Sequence, residues 1–149
     1  MPKCYYSIVL DHSADDVWAT IRPFDHYTWA GVEGETLIED GKAGDQVSAV
    51  RRFTAGDAVL RQILLAHSDV ERSYTYAFRG APPFPVDNYV ATIRVLPVVE
   101  SNKAFVEWWA TFDCALDERD RWTSHLENEG FAKWLAALRR FMASGNSII

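Results

Sequence analysis

The sequence predicts an α+β fold in which a curved antiparallel sheet of about seven strands wraps around a long C-terminal helix. Three observations carry this expectation. A β-branched and aromatic segment opens the chain, and short strand-like runs divided by tight turn signals fill its middle. Near the end the apolar period lengthens to three or four residues. The 149 residues suit one domain over 1–149, large enough to bury a core.

Residues 4–11, with Tyr5, Tyr6, Ile8 and Val9, read as the first strand. Ser13 followed by Asp15 and Asp16 has the form of a helix N-cap with acids in the first turn. Ala14, Val17, Trp18 and Ile21 follow at helical spacing until Pro23 ends the helix. Residues 24–34 read as a loop or a broken second helix, giving two short helices after the first strand. Strands are then expected at 34–41, 45–53, 58–66, 72–78, 88–96 and 104–112. Turns at Asp40-Gly41, Thr54–Asp57, Ser68-Asp69 and Glu100–Lys103 separate them, so neighbours pair antiparallel. Gly80 to Pro85 is the strongest break. Phe131, Trp134, Leu135, Leu138, Phe141 and Met142 mark one face of the final helix, with Asp117 as its expected N-cap and Gly145 as its stop. Gly130 inside it marks a kink or a close approach to the sheet.

The composition is 48% hydrophobic and 24% charged, as in ordinary globular proteins. Six Trp, six Tyr and eight Phe either fill a core or line a small-molecule pocket. A net charge of −6 repels phosphate backbones, so no nucleic-acid partner is expected. No apolar run approaches the ~18 residues of a membrane span, and no stable membrane insertion is expected. Residues 1–6 lack a charged segment followed by an apolar one, so no leader is expected. Cys4 and Cys114, the only cysteines, form no metal or redox motif. A cytoplasmic protein with reduced thiols is the expectation.

The element order resembles that of the START-like, or Bet v 1-like, superfamily, also called the polyketide cyclase/dehydrase and lipid transport group. The local strings that carry this are Trp18, Gly44-Asp-Gln-Val-Ser-Ala-Val-Arg51, Leu64-Leu-Ala-His-Ser-Asp69, Arg72-Ser-Tyr-Thr-Tyr76, Asn88-Tyr-Val-Ala-Thr-Ile-Arg-Val-Leu-Pro97 and Val106-Glu-Trp108. They look most like bacterial relatives of the lachrymatory factor synthase family. The resemblance implies the helix-grip fold over a ligand cavity. It also implies that Arg51, Tyr76 and Tyr89 line that cavity, and that Gln62 stands where the family has a Glu. A carboxylate moves a proton, whereas a carboxamide only hydrogen-bonds, so the family's acid–base chemistry does not transfer directly.

Alternation along the strands supplies the rest. Val47, Ala49, Arg51 and Phe53 share a face, which makes Arg51 a lone cation among apolar neighbours. Such a cation anchors a ligand oxygen, forms an ion pair with Glu107 or Asp113, or snorkels to the rim. Leu60, Gln62 and Leu64 share the next face, and Tyr74, Tyr76 and Phe78 the one after. Trp108 and Trp109 are adjacent and so face opposite sides, and the resemblance implies that Trp108 is the inward one. Taken with the resemblance, these faces give an expected ligand-binding set of Arg51, Gln62, Leu64, Tyr76, Tyr89 and Trp108, and the resemblance implies that part of the helix stripe, Phe131 and Leu135, roofs it. In an enzyme, Arg51, Tyr76 and Tyr89 would be catalytic. His26 is a loop histidine with a minor claim as a base. His125 and Glu129, four apart on a helix, lack a third metal ligand, and neither metal nor cofactor is expected. The Pro82–Pro85 loop, with Gly80 beside it as a hinge, is either a lid or a plain turn.

Three functions remain open on these residues. One is a carrier or sensor of a small hydrophobic molecule with an oxygen-bearing end. Another is a cyclase, dehydratase or isomerase acting on such a molecule. The third is a partner-binding domain whose many rings fill a closed core. A homodimer is compatible with any of them.

Overall fold

The computed structural model describes residues 1–145. Seven strands form one antiparallel sheet: β1 (Lys3–Leu10), β2 (Leu37–Ile38), β3 (Val50–Ala55), β4 (Ala58–Ser68), β5 (Ser73–Phe78), β6 (Asp87–Val98) and β7 (Lys103–Asp113). Their order is β1-β7-β6-β5-β4-β3-β2, so the first strand closes beside the last. Helix α1 (Ala14–Ile21) follows β1. The C-terminal helix comprises a 3₁₀ turn (Leu116–Glu118), α2 (Arg119–His125), a π turn (Leu126–Phe131) and α3 (Ala132–Ala143). This is the expected helix-grip arrangement.

Period-two patterning fixes which face is inside. Ala104, Val106, Trp108, Ala110 and Phe112 on β7, and Tyr89, Ala91, Ile93 and Val95 on β6, are all buried against the helices. The Leu135, Leu138 and Met142 stripe of α3 packs into the same core. Ser13 caps α1, its hydroxyl accepting from the Asp16 amide at 3.2 Å. Gly145, at φ +77°, ends the last helix, and its amide donates to the Met142 carbonyl at 3.2 Å.

Several expected elements are shorter than their sequence pattern. The second helix is one 3₁₀ turn, Thr28–Ala30, because Phe24, Tyr27 and Trp29 are all drawn into the core. Tertiary burial there outweighs helical spacing. The strand expected at 34–41 keeps only Leu37–Ile38, because Asp40 turns the chain at φ +60°. The strand expected from 45 begins at Val50. Ser48, at φ +76°, breaks the extended run, and its amide bonds the Leu64 carbonyl at 2.8 Å. Val47 is therefore 52% exposed and shares no face with Arg51. Asp117 lies in the 3₁₀ turn and makes no cap; Glu118 precedes α2 without a side-chain cap bond.

Two polar clusters lie outside the core. On the outer face Glu107 accepts from Tyr5 at 2.7 Å and pairs with Arg94 at 2.7 Å, so it faces away from Trp108 and from Arg51. Asp69, in the β4–β5 turn, accepts from Trp18 Nε1 at 3.0 Å, from Arg22 Nε at 2.8 Å and from His67 Nε2 at 3.0 Å, tying α1 to the sheet. The Arg22 guanidinium holds the Asp69 carboxyl well below the usual carboxylate range. A carboxyl depressed by folding stabilises the fold fully above its unfolded value near 4, and the gain is lost as pH falls through that value and below. Thermal melts against pH are expected to show Asp69→Asn melting lower than the native chain at pH 7, with a shallower acid limb. Superimposed curves would mean the cluster adds nothing to stability.

The free edge of β1 is met by the C-terminal helix. The Tyr5 amide donates to Glu127 Oε2 at 2.9 Å, and Arg139 Nη2 donates to the Val9 carbonyl at 3.2 Å. Among the described residues no helix is long and apolar enough to cross a membrane.

Candidate functional site

Between the inner sheet face and the C-terminal helix lies a cavity of about 230 Å³. Its floor comes from Phe53 of β3, Leu60 and Gln62 of β4, Tyr76 and Phe78 of β5, and Tyr89 of β6. Leu126, Gly130 and Trp134 of the C-terminal helix form the roof, and Tyr27 closes one side. The wall is overwhelmingly apolar, with a few polar atoms, as small-molecule sites usually are.

Gln62 is the most tightly constrained of these polar groups. It stands directly opposite Arg51 across the β3–β4 ladder. Arg51 Nε donates to Gln62 Oε1 at 2.8 Å. A guanidinium has only donors, so the amide oxygen must face it. The Gln62 NH₂ group is then turned the other way and finds no hydrogen-bond partner among the described residues. Hydrogen bonding at the oxygen also polarises the amide and strengthens the NH₂ as a donor.

Tyr76 and Tyr89 supply two further hydroxyls. Trp108 Nε1 donates to the Tyr76 oxygen at 3.1 Å, and the Tyr76 hydroxyl is turned toward that of Tyr89, whose phenol it favours in the ionised form against the larger effect of burial. Burial pushes both phenols well above their ordinary pKa. Both are neutral donors at physiological pH and neither is a ready base.

Arg51 itself is walled off. It is completely buried, and its guanidinium carbon lies 3.7 Å from the Tyr27 ring centroid, 4.1 Å from Phe24 and 5.0 Å from Tyr76. Nη1 makes two longer contacts, to the Phe24 carbonyl at 3.4 Å and the Tyr74 hydroxyl at 3.5 Å. Nη2 is buried without a hydrogen-bond partner, and among the described residues no carboxylate pairs with the charge. Cation–π contact with the surrounding rings replaces an ion pair. The charge thus acts on the cavity through Gln62. Burial pushes the neighbouring Tyr74 phenol up to about 12, against the opposing pull of Arg51.

Of the expected ligand-binding residues, Gln62, Tyr76 and Tyr89 line the cavity. Arg51, Leu64, Trp108, Phe131 and Leu135 do not; they pack behind its wall, each fully buried. Trp108 stacks on Phe131 at 5.2 Å and touches Trp29 and Trp134, so it braces the roof. His26 is turned outward from the cavity, its Nδ1 bonded to the Thr20 carbonyl at 2.9 Å and its ring against Phe141. His125 and Glu129 both reach the rim, where Glu129 pairs with Lys133 and is held below its ordinary pKa by it. Among the described residues no three His, Cys, Asp or Glu converge.

Tyr27 and Phe84 are wall residues that periodicity does not reveal, since both lie on loops. Phe84, from the Gly80–Pro85 loop, packs on Phe78 at 5.9 Å, Tyr89 at 5.5 Å and Trp122 at 6.0 Å. Its only sequence signal is an aromatic residue set between prolines. The loop is therefore part of the rim. A second, more open depression of about 470 Å³ lies on the loop's other side, between Ala77 and Val90.

The family described as polyketide cyclase/dehydrase and lipid transport matches residues 1–144. No curated protein matches the chain. Similar solved structures include a Bacillus thuringiensis protein of uncharacterised function, 30% identical, with TM-score 0.78 over 93% of this chain and 96% of that one. A Thermobifida fusca protein is 27% identical, with TM-score 0.82 over 93% and 91%. The di-domain ARO/CYC protein BexL shares 16% identity at TM-score 0.78, over 94% of this chain and 46% of its own.

Proposed function

The chain belongs to the polyketide cyclase/dehydrase and lipid transport family, and we propose that it binds a small hydrophobic molecule bearing one acceptor oxygen, as a carrier or a sensor. The orientation of Gln62 supports this most directly. Its carbonyl is committed to Arg51, so it presents an NH₂ donor in an apolar cavity. The neighbouring Tyr76 and Tyr89 hydroxyls, both neutral, add polar character beside it. An isolated donor in such a wall favours a ligand that carries an acceptor.

The cyclase, dehydratase or isomerase reading draws on the family description and on His125 and Glu129 at the rim. The floor offers it little: position 62 holds no carboxylate, and both phenols stay protonated. Binding is the better-supported function.

Acetophenone, one ring with one carbonyl, serves as a probe in titration calorimetry. Gln62→Leu is expected to weaken its binding by about 1–1.5 kcal/mol, the value of one neutral hydrogen bond. Gln62→Glu is expected to weaken it comparably, because a carboxylate facing Arg51 brings no donor. Unchanged affinity in both variants would take Gln62 out of the site.

A further inference from the structure

We infer that Trp134, folded back over Gly130 by the π turn, limits the ligand to about one six-membered ring with a short oxygenated substituent. This rests on the binding function proposed above and adds a size class and the residue that sets it.

The volume comes first. An apolar cavity of ~150 Å³ accommodates benzene. In proportion, the 230 Å³ here holds about nine heavy atoms. Fused-ring ligands exceed this.

The second observation is what bounds that volume. Gly130 and Trp134 both line the cavity and lie one turn apart. A β-carbon placed on Gly130 would stand 3.2 Å from Trp134 Cη2, 3.4 Å from Cζ3 and 3.6 Å from Cζ2. The six-membered edge of the indole therefore rests on the bare glycine backbone. Trp108, with ring centroids 5.4 Å apart, and Phe131, at 5.5 Å, hold the indole from other sides, so it is braced in place.

The third observation is the local helix. The π turn Leu126–Phe131 inserts one extra residue and rotates the rest of the helix by about 100° relative to an unbroken α-helix. Residue 134 thereby reaches the cavity roof while Leu135 and Leu138 remain in the core. A glycine and a π turn are each unfavourable in a helix interior. Here both serve to set one indole ring.

The test compares acetophenone with 2-acetylnaphthalene, which adds a fused ring to the same carbonyl. Affinities are measured for the native chain, Trp134→Ala and Trp134→Leu. The native chain is expected to favour the one-ring ketone by about tenfold or more. Trp134→Ala is expected to bring the two ketones to within about threefold of each other, chiefly by tighter binding of the larger. If Trp134→Ala does not fold, Trp134→Leu, which keeps apolar contact with Phe131, is expected to move the ratio the same way. Equal native affinities, or a ratio that neither variant moves, would overturn the inference and leave the binding function standing. Binding of neither ketone to the native chain would overturn both.

Discussion

Arg51→Ala is expected to lower the unfolding free energy by about 3–5 kcal/mol, read from urea or guanidinium titration. The residue is fully buried and spans the space between Tyr27, Phe24, Tyr76 and Gln62. Truncation empties a volume lined by rings that only partly relax. It also strands the Gln62 oxygen and the Tyr74 hydroxyl, and each buried polar atom left alone costs about 1–3 kcal/mol. Because no anion among the described residues pairs with the guanidinium, no second charge is uncovered, which keeps the loss near that range. Arg51→Lys is expected to recover little, since an ammonium neither stacks on Tyr27 nor donates from the Nε position. A loss under about 1 kcal/mol would mean that the rings close the space without the cation. Acetophenone binding is expected to fall as well, because Gln62 would be free to rotate its amide.

Trp108→Ala is expected to cost a comparable amount, about 3–5 kcal/mol, the range for truncating a fully buried aromatic side chain. It removes the stacked partner of Phe131 and contacts with Trp29 and Trp134, together with the donor to Tyr76. In a chain of this size that corresponds to a fall in melting temperature of roughly 6–20 °C. The neighbouring residue is an internal control. Trp109 sits on the outer face, stacked on Tyr5 at 6.4 Å with Lys3 above it. Trp109→Ala is expected to cost well under half as much. Equal losses would contradict the assignment of the two rings to opposite faces.

The strand faces were legible along β6, where alternation runs from Tyr89 to Val95, and the last helix because its apolar stripe keeps one period. Along β7, where Val106, Glu107 and Trp108 are buried in succession, the family resemblance supplied the inward ring. Arg51 stood out as a cation in an apolar row. Alternation along β3, however, says nothing of a loop residue, Tyr27, that folds over the guanidinium and separates it from the cavity. That is why a residue expected in the cavity wall lies behind it, bonded to Gln62. Likewise Val47 fits the alternating pattern but lies beyond the Ser48 turn, where a positive φ ends the strand. The cavity roof was hidden for another reason: a one-residue insertion into a helix leaves no period of its own. Gly130, four residues before Trp134, was its only trace, and the close approach it permits is to that indole and not to the sheet.

The two bonds that Glu127 and Arg139 make to the β1 backbone bear on how the molecule behaves in crowded solution. A terminal strand with free amides and carbonyls is a template for a foreign chain, the usual first step of fibril growth. Here a visiting chain would have to peel away the closing helix before it could add, and the opposite margin of the sheet is only two residues long. Loosening those bonds, for example in a doubly substituted Glu127→Ala, Arg139→Ala chain, would be felt first as a loss of shelf life at high concentration, before any change in ligand affinity.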